Sequence, residues 1–373
     1  MNFSPVIEYV EKVLREEMGV PGCDLKVMRG HETLLRYSSG SADYEGKVPV
    51  SDKDVYILYS CTKPMTCAAA MQLVERGVIG LDDPVSKYLP EFENAFLMQD
   101  DKPVKPQNTM TIRHLFTMSA GLDYFRDTQP ILDVISANPH AGTVEIVNAL
   151  VRRPLRFEPG ERFAYSMCHD VLGAVIEVAS GMRLSEYMKQ NIWEPLGMKT
   201  VGYYVSTNKP AGLAALYTCP EPKKCEPFED WFDFTITDNY ESGGAGLYAT
   251  VDDYSLFVDA MACGGVGATG ARILKPETID LMRTPQRTYE DMGGIAGAGY
   301  SYGLGVRTLT DKSNGQRSPL GEFGWDGAAG SYGLMDPENQ ISLFYAMHVR
   351  EFRTLIGRAH GTIRDLVYEA LGL

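Results

Sequence analysis

The chain has 373 residues, of which 44% are hydrophobic and 23% are charged, a composition typical of a globular protein with room for two structural units. The formal net charge of −14 argues against a nucleic-acid-binding face and against electrostatic attachment to an anionic membrane. Seven scattered cysteines, an odd number, are typical of reduced thiols, so we expect a cytoplasmic protein. The sequence predicts neither a metal nor a cofactor.

The first predicted element is an amphipathic helix in MNFSPVIEYVEKVLREEMG, where Val6, Val10 and Leu14 recur at helical spacing. This segment lacks the apolar stretch and the cleavage site of a signal peptide, so no targeting segment is expected. The next stretches, GCDLKVMRG and ETLLRYSSG, predict an antiparallel hairpin. The apolar run VYILYS then leads into SCTKPMT, where a helix is predicted to begin and to end at Gly77.

The middle of the chain is predicted to be mostly helix and loop, because TIRHLFTMSAG, HDVLGAVIEVASG and LSEYMKQNIWEPLG carry helical periodicity. The irregular stretch LYTCPEPKKCEPFEDWF predicts a surface loop. Its cysteines, Cys219 and Cys225, have no further ligand nearby in sequence, so they predict no metal site. The segments SYGLGVRTL, AAGSYGLMD and QISLFYAMH predict strands, and a helix closes the chain.

Strands at both ends of the chain and helices between them predict an α+β fold. We expect one antiparallel sheet flanked by the N- and C-terminal helices, with an inserted all-α unit. The sheet unit is assigned to residues 1–60 and 236–373, and the helical unit to residues 61–235. A ligand site is expected in the cleft where the two units meet.

The stretch SCTKPMT places a lysine, Lys63, three residues after Ser60. At a helix start, residues three apart share one face, so the hydroxyl and the ammonium would point into the same space. Propensity alone also explains Ser60 as an ordinary N-cap residue. The same Ser-x-x-Lys-Pro spacing recurs at Ser206, in a stretch that reads as a solvated turn, so spacing alone identifies no site.

Several ordered blocks give the chain a resemblance to a known family. These are SCTKPMTCAAAMQLVERGVIGLDDPVSKYLPEF, TIRHLFTMSAGL, FEPGERFAYSMCHDVLGAVIEVASG, EPLGM and GGAGLYATVDDYSLF. In this order and spacing they resemble the serine β-lactamase and penicillin-binding-protein superfamily. The resemblance is to class C β-lactamase-like hydrolases and, within these, to the family VIII carboxylesterases.

The resemblance implies roles for three residues. Ser60 matches the nucleophile that forms an acyl-enzyme, and Lys63 matches the lysine of its proton network. Tyr165, in Tyr165-Ser166-Met167, matches the tyrosine that acts as general base or shares that role with the lysine. A tyrosine beside a lysine ammonium is expected to be pushed toward phenolate.

The resemblance also places the family's third motif at Trp325-Asp326-Gly327. It implies an oxyanion hole made by the backbone N–H groups of Ser60 and Ala328. Such donors stabilise the charge that develops on a carbonyl oxygen during acyl transfer. Trp325, Asp326 and Gly327 are therefore predicted to bind substrate.

Two departures from β-lactamases favour a neutral ester as substrate. Trp325 replaces the cation that faces the β-lactam carboxylate, and Met167 replaces an asparagine that contacts a substrate amide. The sequence thus predicts a carboxylesterase acting on short-chain esters, with Met167 lining the pocket and Asp326 disfavouring anionic substrates. The alternatives are a weak β-lactamase, a D-amino-acid peptidase or amidase, and an acyl-binding module without turnover.

Other residues carry weaker predictions. His169 is near Tyr165 in sequence, but the family does not use this position, and His114 and His348 read as structural. Four tyrosines could line a pocket but have no predicted place: Tyr124, Tyr240, Tyr302 and Tyr332.

Overall fold

The computed structural model describes residues 1–205, 209–228, 234–351 and 353–373. In these ranges the α-helices are α1 (Ser4–Glu8), α2 (Thr62–Glu75), α3 (Ile112–Phe116), α4 (Gln129–Ala137), α5 (Thr143–Asn148), α6 (Cys168–Ser180), α7 (Leu184–Met188), α8 (Glu194–Leu196), α9 (Val251–Ala262), α10 (Pro276–Arg283) and α11 (Arg353–Leu371). Helix α1 continues as a π-helical segment, Tyr9–Glu17, and a second π-helical segment, Lys189–Trp193, precedes α8. Short 3₁₀ turns span Tyr59–Cys61, Val85–Lys87, Pro90–Asn94 and Leu150–Arg152.

The strands, in chain order, are β1 (Gly22–Arg29), β2 (Glu32–Gly40), β3 (Val55–Ile57), β4 (Leu97–Gln99), β5 (Lys102–Val104), β6 (Val201–Tyr203), β7 (Tyr217–Thr218), β8 (Glu226–Pro227), β9 (Leu247–Thr250), β10 (Tyr300–Tyr302), β11 (Arg307–Leu309), β12 (Phe323–Asp326), β13 (Tyr332–Asp336), β14 (Ile341–Ala346) and β15 (Val349–Arg350). The main sheet has seven strands in the order β10-β11-β12-β13-β14-β1-β2, and each neighbouring pair is antiparallel. Its strands come from the two ends of the chain. The predicted α+β class with an antiparallel sheet is therefore confirmed.

The terminal helices cover one face of this sheet. Val10 and Leu14 of the N-terminal helical segment and Ile363 of α11 are buried in one apolar cluster with Leu25 and Leu343 of the sheet. The predicted amphipathic first helix thus buries its apolar stripe, as its spacing requires.

A second layer of helices packs toward the opposite face of the sheet. Helix α9 contacts β1, β13 and β14, and α2 lies against α6. Helix α2 is buried on all sides from Thr62 to Leu73, which identifies it as the central helix of this layer. The run from Cys67 to Ala70 supplies small side chains that let neighbouring helices approach closely. The first turn of this helix carries Lys63.

One pair of cysteines departs from the prediction that all seven are reduced thiols. Cys219 and Cys225 form a disulfide that closes the short loop between β7 and β8, so that prediction is wrong for this pair. The odd total of cysteines had hidden a pair only six residues apart. The other five cysteines are free, and Cys263 is the one among them that is partly exposed.

Two further sequence predictions concern membrane-spanning helices and the second Ser-x-x-Lys copy. Among the described residues, no helix is both long and apolar enough to cross a bilayer. In the second copy, Ser206 lies outside the described residues, and Lys209 is exposed.

Candidate active site

Ser60 lies on a tight turn between a strand and the central helix. Strand β3 pairs with β9, and the 3₁₀ turn Tyr59–Cys61 then leads into α2. Tyr59 adopts a left-handed backbone with φ of 47°, which is uncommon for a bulky residue and is held in place by surrounding packing. The Tyr59 ring is buried against Phe234, with ring centroids 6.3 Å apart. The turn therefore presents a half-buried Ser60 at the start of α2.

Lys63 is completely buried and its ammonium is fully hydrogen-bonded. Its Nζ donates to Gly244 O at 2.6 Å, to Ser60 Oγ at 3.2 Å and to the Tyr124 hydroxyl at 3.4 Å. Nζ also lies 4.6 Å from the centroid of the Tyr165 ring, where the face of an aromatic ring attracts a cation. Three acceptors satisfy the three donors of a lysine ammonium, so this buried charge is solvated by the protein.

Tyr165 is the middle ring of an aromatic stack. Its ring is nearly parallel to Tyr124 on one side, at 5.4 Å and 17°, and to Trp325 on the other, at 5.9 Å and 19°. Trp325 Nε1 donates a hydrogen bond to the Tyr165 hydroxyl oxygen at 3.2 Å. The stack brings two residues that are 160 positions apart in sequence to the same side of Ser60.

The predicted shift of Tyr165 toward phenolate is wrong for this arrangement. Desolvation raises the pKa of Tyr165 above its ordinary value, and hydrogen bonds with Ser60 and Trp325 only partly oppose this rise. The Lys63 ammonium lies over the face of the ring. Tyr165 is therefore a neutral phenol in the resting protein. Desolvation likewise raises the pKa of Tyr124 to about 12, although Lys63 opposes the rise.

The end of β12 lies against the turn that carries Ser60. Gly327 has room for no side chain, since a Cβ there would be 2.3 Å from Leu58 O and 2.2 Å from Ser331 Oγ. Ser331 Oγ in turn donates to Leu58 O at 3.2 Å. Close approach of two backbones is the reason that glycine occupies this position. Ala328 follows, exposed, and among the described residues its N–H has no hydrogen-bond partner.

Asp326 does not face this cleft, which corrects its predicted position. Successive side chains of a strand point to opposite faces, and Trp325 occupies the face toward Tyr165. Asp326 is paired in register with Tyr332, and its carboxylate accepts from Nη1 of the buried Arg307 at 3.1 Å. Tyr332 stacks on His360 of α11, 4.5 Å away. The Asp326 carboxylate is therefore paired on the face that the terminal helix covers.

Met167 does not line the cleft either. Its side chain is 1% exposed and packs with Ile131, Ile146 and Tyr240 in a small apolar cluster of the helical layer. Met167 is the N-cap residue of α6, so its backbone turns away from the extended segment that carries Tyr165. The residue fixes the start of α6 and contributes no apolar surface to the pocket.

Asp170 is a residue that the sequence analysis missed. It is 1% exposed, and its Oδ1 accepts from the Tyr240 hydroxyl at 2.7 Å and from Ser242 Oγ at 2.6 Å. Gly244 lies between this carboxylate and Lys63, since a Cβ on Gly244 would be 2.6 Å from Asp170 Oδ2 and 3.5 Å from Lys63 Nζ. The signal in the sequence was an aspartate five residues after Tyr165. Its partners lie 70 or more residues away, so no local pattern reveals them.

The histidines named from sequence take structural positions. His169 is buried, with Nε2 3.3 Å from Phe116 O, and burial and then Lys63 lower its pKa to about 3. His114 accepts the Thr111 N–H at the start of α3. His348 Nε2 accepts the Ile57 N–H at 3.3 Å and so supports the strand before Ser60.

The four unplaced tyrosines divide between site and scaffold. Tyr124 contacts Lys63 and borders an open groove of about 410 Å³, whose other walls include Phe125, Leu132 and Ile236. Tyr302 is buried behind Trp325, edge to face at 5.2 Å. Tyr240 binds Asp170, and Tyr332 lies on the opposite face of the sheet. Only Tyr124 thus fits the expected role in a pocket.

Comparison with known proteins identifies the family. The Beta-lactamase family model matches residues 10–359. Protein Rv1367c of Mycobacterium tuberculosis is 30% identical over 87% of this chain and 86% of its own length, and Esterase EstB of Burkholderia gladioli is 28% identical over 96% and 93%. The solved structure of EstCE1, a hydrolase with promiscuous acyltransferase activity, is 28% identical, covers 98% of both chains and superposes with a TM-score of 0.82. The chain therefore belongs to the beta-lactamase family and is a serine hydrolase.

Proposed function

We propose that the protein is a carboxylesterase that hydrolyses small short-chain esters through an acyl-enzyme on Ser60. The observation that carries this proposal is the hydrogen bond of 3.2 Å between a completely buried Lys63 ammonium and Ser60 Oγ. A serine hydroxyl is a poor nucleophile until a neighbouring group takes its proton. In this site the groups within reach are Lys63 and the Tyr165 that lies beside it.

The reaction proceeds in two steps. Ser60 Oγ bonds to the carbonyl carbon of the ester as its proton passes to the form of the Lys63–Tyr165 unit that has lost one proton to solvent, and the alcohol then leaves with the proton taken from Ser60. Water then adds to the acyl carbon, and Ser60 recovers its proton as the acid departs.

The oxyanion hole is proposed from the two backbones that meet at the cleft. The N–H of Ser60 lies at the start of α2, where a helix favours negative charge, and the N–H of Ala328 lies at the end of β12. The close packing of Gly327 against Leu58 O holds these two segments side by side. A donor pair of this kind is worth about a hundred- to a thousandfold in rate.

The preference for a neutral ester follows from Trp325. An indole has one N–H donor, and Trp325 gives it to Tyr165, so it has none for a substrate carboxylate. Arg307 cannot substitute, because Asp326 and Gly333 O hold its guanidinium on the other face of β12. The groove beside Tyr124 has apolar walls at Phe125, Leu132 and Ile236 that suit an apolar group of the substrate, and its charged wall residues, Arg126 and Asp127, are of opposite sign.

The test compares p-nitrophenyl acetate and butyrate with nitrocefin and a D-alanyl amide. We expect a burst of p-nitrophenol followed by steady turnover, no turnover by Ser60→Ala, and little cleavage of the last two substrates. Ser206→Ala, at the second Ser-x-x-Lys copy, is the matched control and keeps full activity.

Other outcomes identify the alternatives. Faster turnover of nitrocefin or the amide than of both esters would replace the esterase with a β-lactamase or an amidase. A penicillin adduct that forms once and is not released would indicate an acyl-binding module without turnover.

A further inference from the structure

A second group of reactive side chains lies outside the cleft. Asp259 and Cys263 are four residues apart at the C-terminal end of α9, a spacing that places two side chains on one helix face. His31 joins them from the turn between β1 and β2. Among the residues that the structure describes, these three form the one group of histidine, cysteine and acidic side chains whose ligand atoms all lie within 4.8 Å of one another.

The geometry of the group is well defined. His31 Nδ1 lies 2.6 Å from Asp259 Oδ2, and the His31 backbone N–H donates to Asp259 Oδ1 at 3.2 Å. Cys263 Sγ lies 3.8 Å from the same Oδ1. His31 has a left-handed backbone with φ of 74°, so the turn itself directs the imidazole at the helix end.

We propose that His31, Asp259 and Cys263 bind a divalent transition-metal ion of the zinc class, through one imidazole nitrogen, one carboxylate oxygen and one thiolate sulfur. These ligand types are the ones that zinc prefers, and three of them leave the fourth tetrahedral position to water. Zinc lies about 2.0–2.2 Å from nitrogen and oxygen and about 2.3 Å from sulfur, so tetrahedral ligand atoms are roughly 3.3–3.6 Å apart. Cys263 Sγ lies 3.8 Å from Asp259 Oδ1, which is near that value. His31 Nδ1 lies 2.6 Å from Asp259 Oδ2 and has to move away from the carboxylate, which a side chain that is 33% exposed allows.

Hydrogen bonding between the β1–β2 turn and α9 explains His31 and Asp259 but not Cys263. The Asp259 carboxylate holds the turn through the His31 backbone and ring, and this contact needs no sulfur. Cys263 adds a sulfur ligand beside Asp259 Oδ1, and it is the one partly exposed thiol among the five free cysteines. On binding, the thiol proton goes to solvent and the neutral imidazole takes the tautomer protonated on Nε2.

The bound ion would fasten the β1–β2 turn to α9. Helix α9 packs on β1 and β14, and Tyr254 within it donates to Cys61 O, next to the nucleophile. The ion touches neither Ser60 nor Lys63, so it acts on stability and takes no part in ester hydrolysis. A ligand that binds only the folded state raises the melting temperature by mass action.

Titration of the purified chain with Co²⁺ tests the proposal, because a thiolate bound to Co²⁺ gives a charge-transfer band in the near ultraviolet. We expect the band to saturate at one equivalent, to disappear when Zn²⁺ is added, and to accompany a rise in melting temperature. Cys263→Ser is expected to lose the band, and His31→Gln to weaken Co²⁺ binding tenfold or more.

The chain offers a matched control in His140, whose Nδ1 lies 2.8 Å from Asp238 on the surface without a thiol nearby. His140→Gln is expected to bind Co²⁺ as the parent does. A titration without the thiolate band, or with the same band in Cys263→Ser, would overturn the proposal. Turnover of p-nitrophenyl acetate by the metal-free chain is followed in parallel, so this result stays separate from that of the proposed esterase.

Discussion

Two buried cations, Lys63 and Arg307, lie toward opposite faces of strand β12, and they have different kinds of hydrogen-bond acceptor. Lys63 is 0% exposed and Arg307 is 2% exposed, and each lies over a tyrosine ring, at 4.6 Å and 4.5 Å respectively. Arg307 is paired with the carboxylate of Asp326. Lys63, among the described residues, has no carboxylate within ion-pair distance and donates to neutral oxygens.

This difference separates a charge that acts on the nucleophile, Lys63, from a charge with a structural role, Arg307. A carboxylate at hydrogen-bond distance neutralises a buried cation, so Asp326 cancels most of the electrostatic field of Arg307. Neutral oxygens stabilise an ammonium without cancelling its charge, so the field of Lys63 remains directed at Ser60 Oγ. Asp170 supplies a compensating charge from beyond Gly244, at a distance that leaves the ammonium free to interact with the nucleophile.

The largest expected effect is that of Lys63→Met. It removes the charge beside Ser60, and we expect kcat/KM for p-nitrophenyl acetate to fall by about a thousandfold. Gly244 O loses its donor, which costs about 1–3 kcal/mol in the free energy of unfolding. Steady-state kinetics and urea unfolding measure both. The exposed Lys209→Met is the control, and a loss of less than tenfold in Lys63→Met would remove the distinction between the two cations.

Arg307→Met is expected to lose stability with little loss of activity. It leaves Asp326 and Gly333 O without their donor, and because Asp326 is 36% exposed we expect a loss of about 2 kcal/mol in the free energy of unfolding. The change in kcat/KM should stay below about tenfold. Adding Asp326→Asn to this variant should restore part of the stability. A variant that unfolds normally but hydrolyses nothing would show that Arg307 serves the reaction.

Trp325→Phe separates stacking from hydrogen bonding at the site. Phenylalanine keeps a ring against Tyr165 but deletes the Nε1 donor. That donor stabilises the phenolate form, so its loss raises the pKa of Tyr165 further and disfavours negative charge on the Tyr165 oxygen during proton transfer. We expect kcat to fall about tenfold. Trp193→Phe is the control, since the Nε1 of Trp193 contacts Met65 Sδ away from the stack. A kcat equal to that of the parent would show that the Nε1 donor of Trp325 takes no part in catalysis.

The smallest expected effect is that of Asp326→Asn alone. Because Arg307 neutralises this carboxylate on the covered face, we expect the ratio of kcat/KM between a neutral ester and a carboxylate-bearing ester to change less than about twofold. A several-fold gain for the anionic ester would restore Asp326 to the rim of the cleft.

Much of the site could be predicted from the sequence because its parts lie in separate ordered blocks. Ser60, Lys63 and Tyr165 lie in those blocks and Trp325 lies in the third motif, and the structure places their side chains together. The prediction for Asp326 was avoidable, since strand alternation allows only one of two neighbours to face Tyr165. Met167 and Asp170 were not accessible in this way, because the start of α6 and the partners of Asp170 depend on packing between distant segments.

The fold, like the site, could be predicted in part from the sequence. The class and the pairing of the chain ends in one sheet came from strand patterns at both termini. The disulfide between Cys219 and Cys225 did not, because composition describes the whole set of cysteines and not the distance between two of them.

The most direct test of the central account is the intact mass of the protein during turnover of p-nitrophenyl butyrate, quenched in acid and followed by peptide mapping. We expect a butyryl adduct of one equivalent on the peptide that contains Ser60, present in the parent and in Lys209→Met but absent from Lys63→Met. A butyryl adduct on another residue, or full acylation of Ser60 in Lys63→Met, would contradict the account.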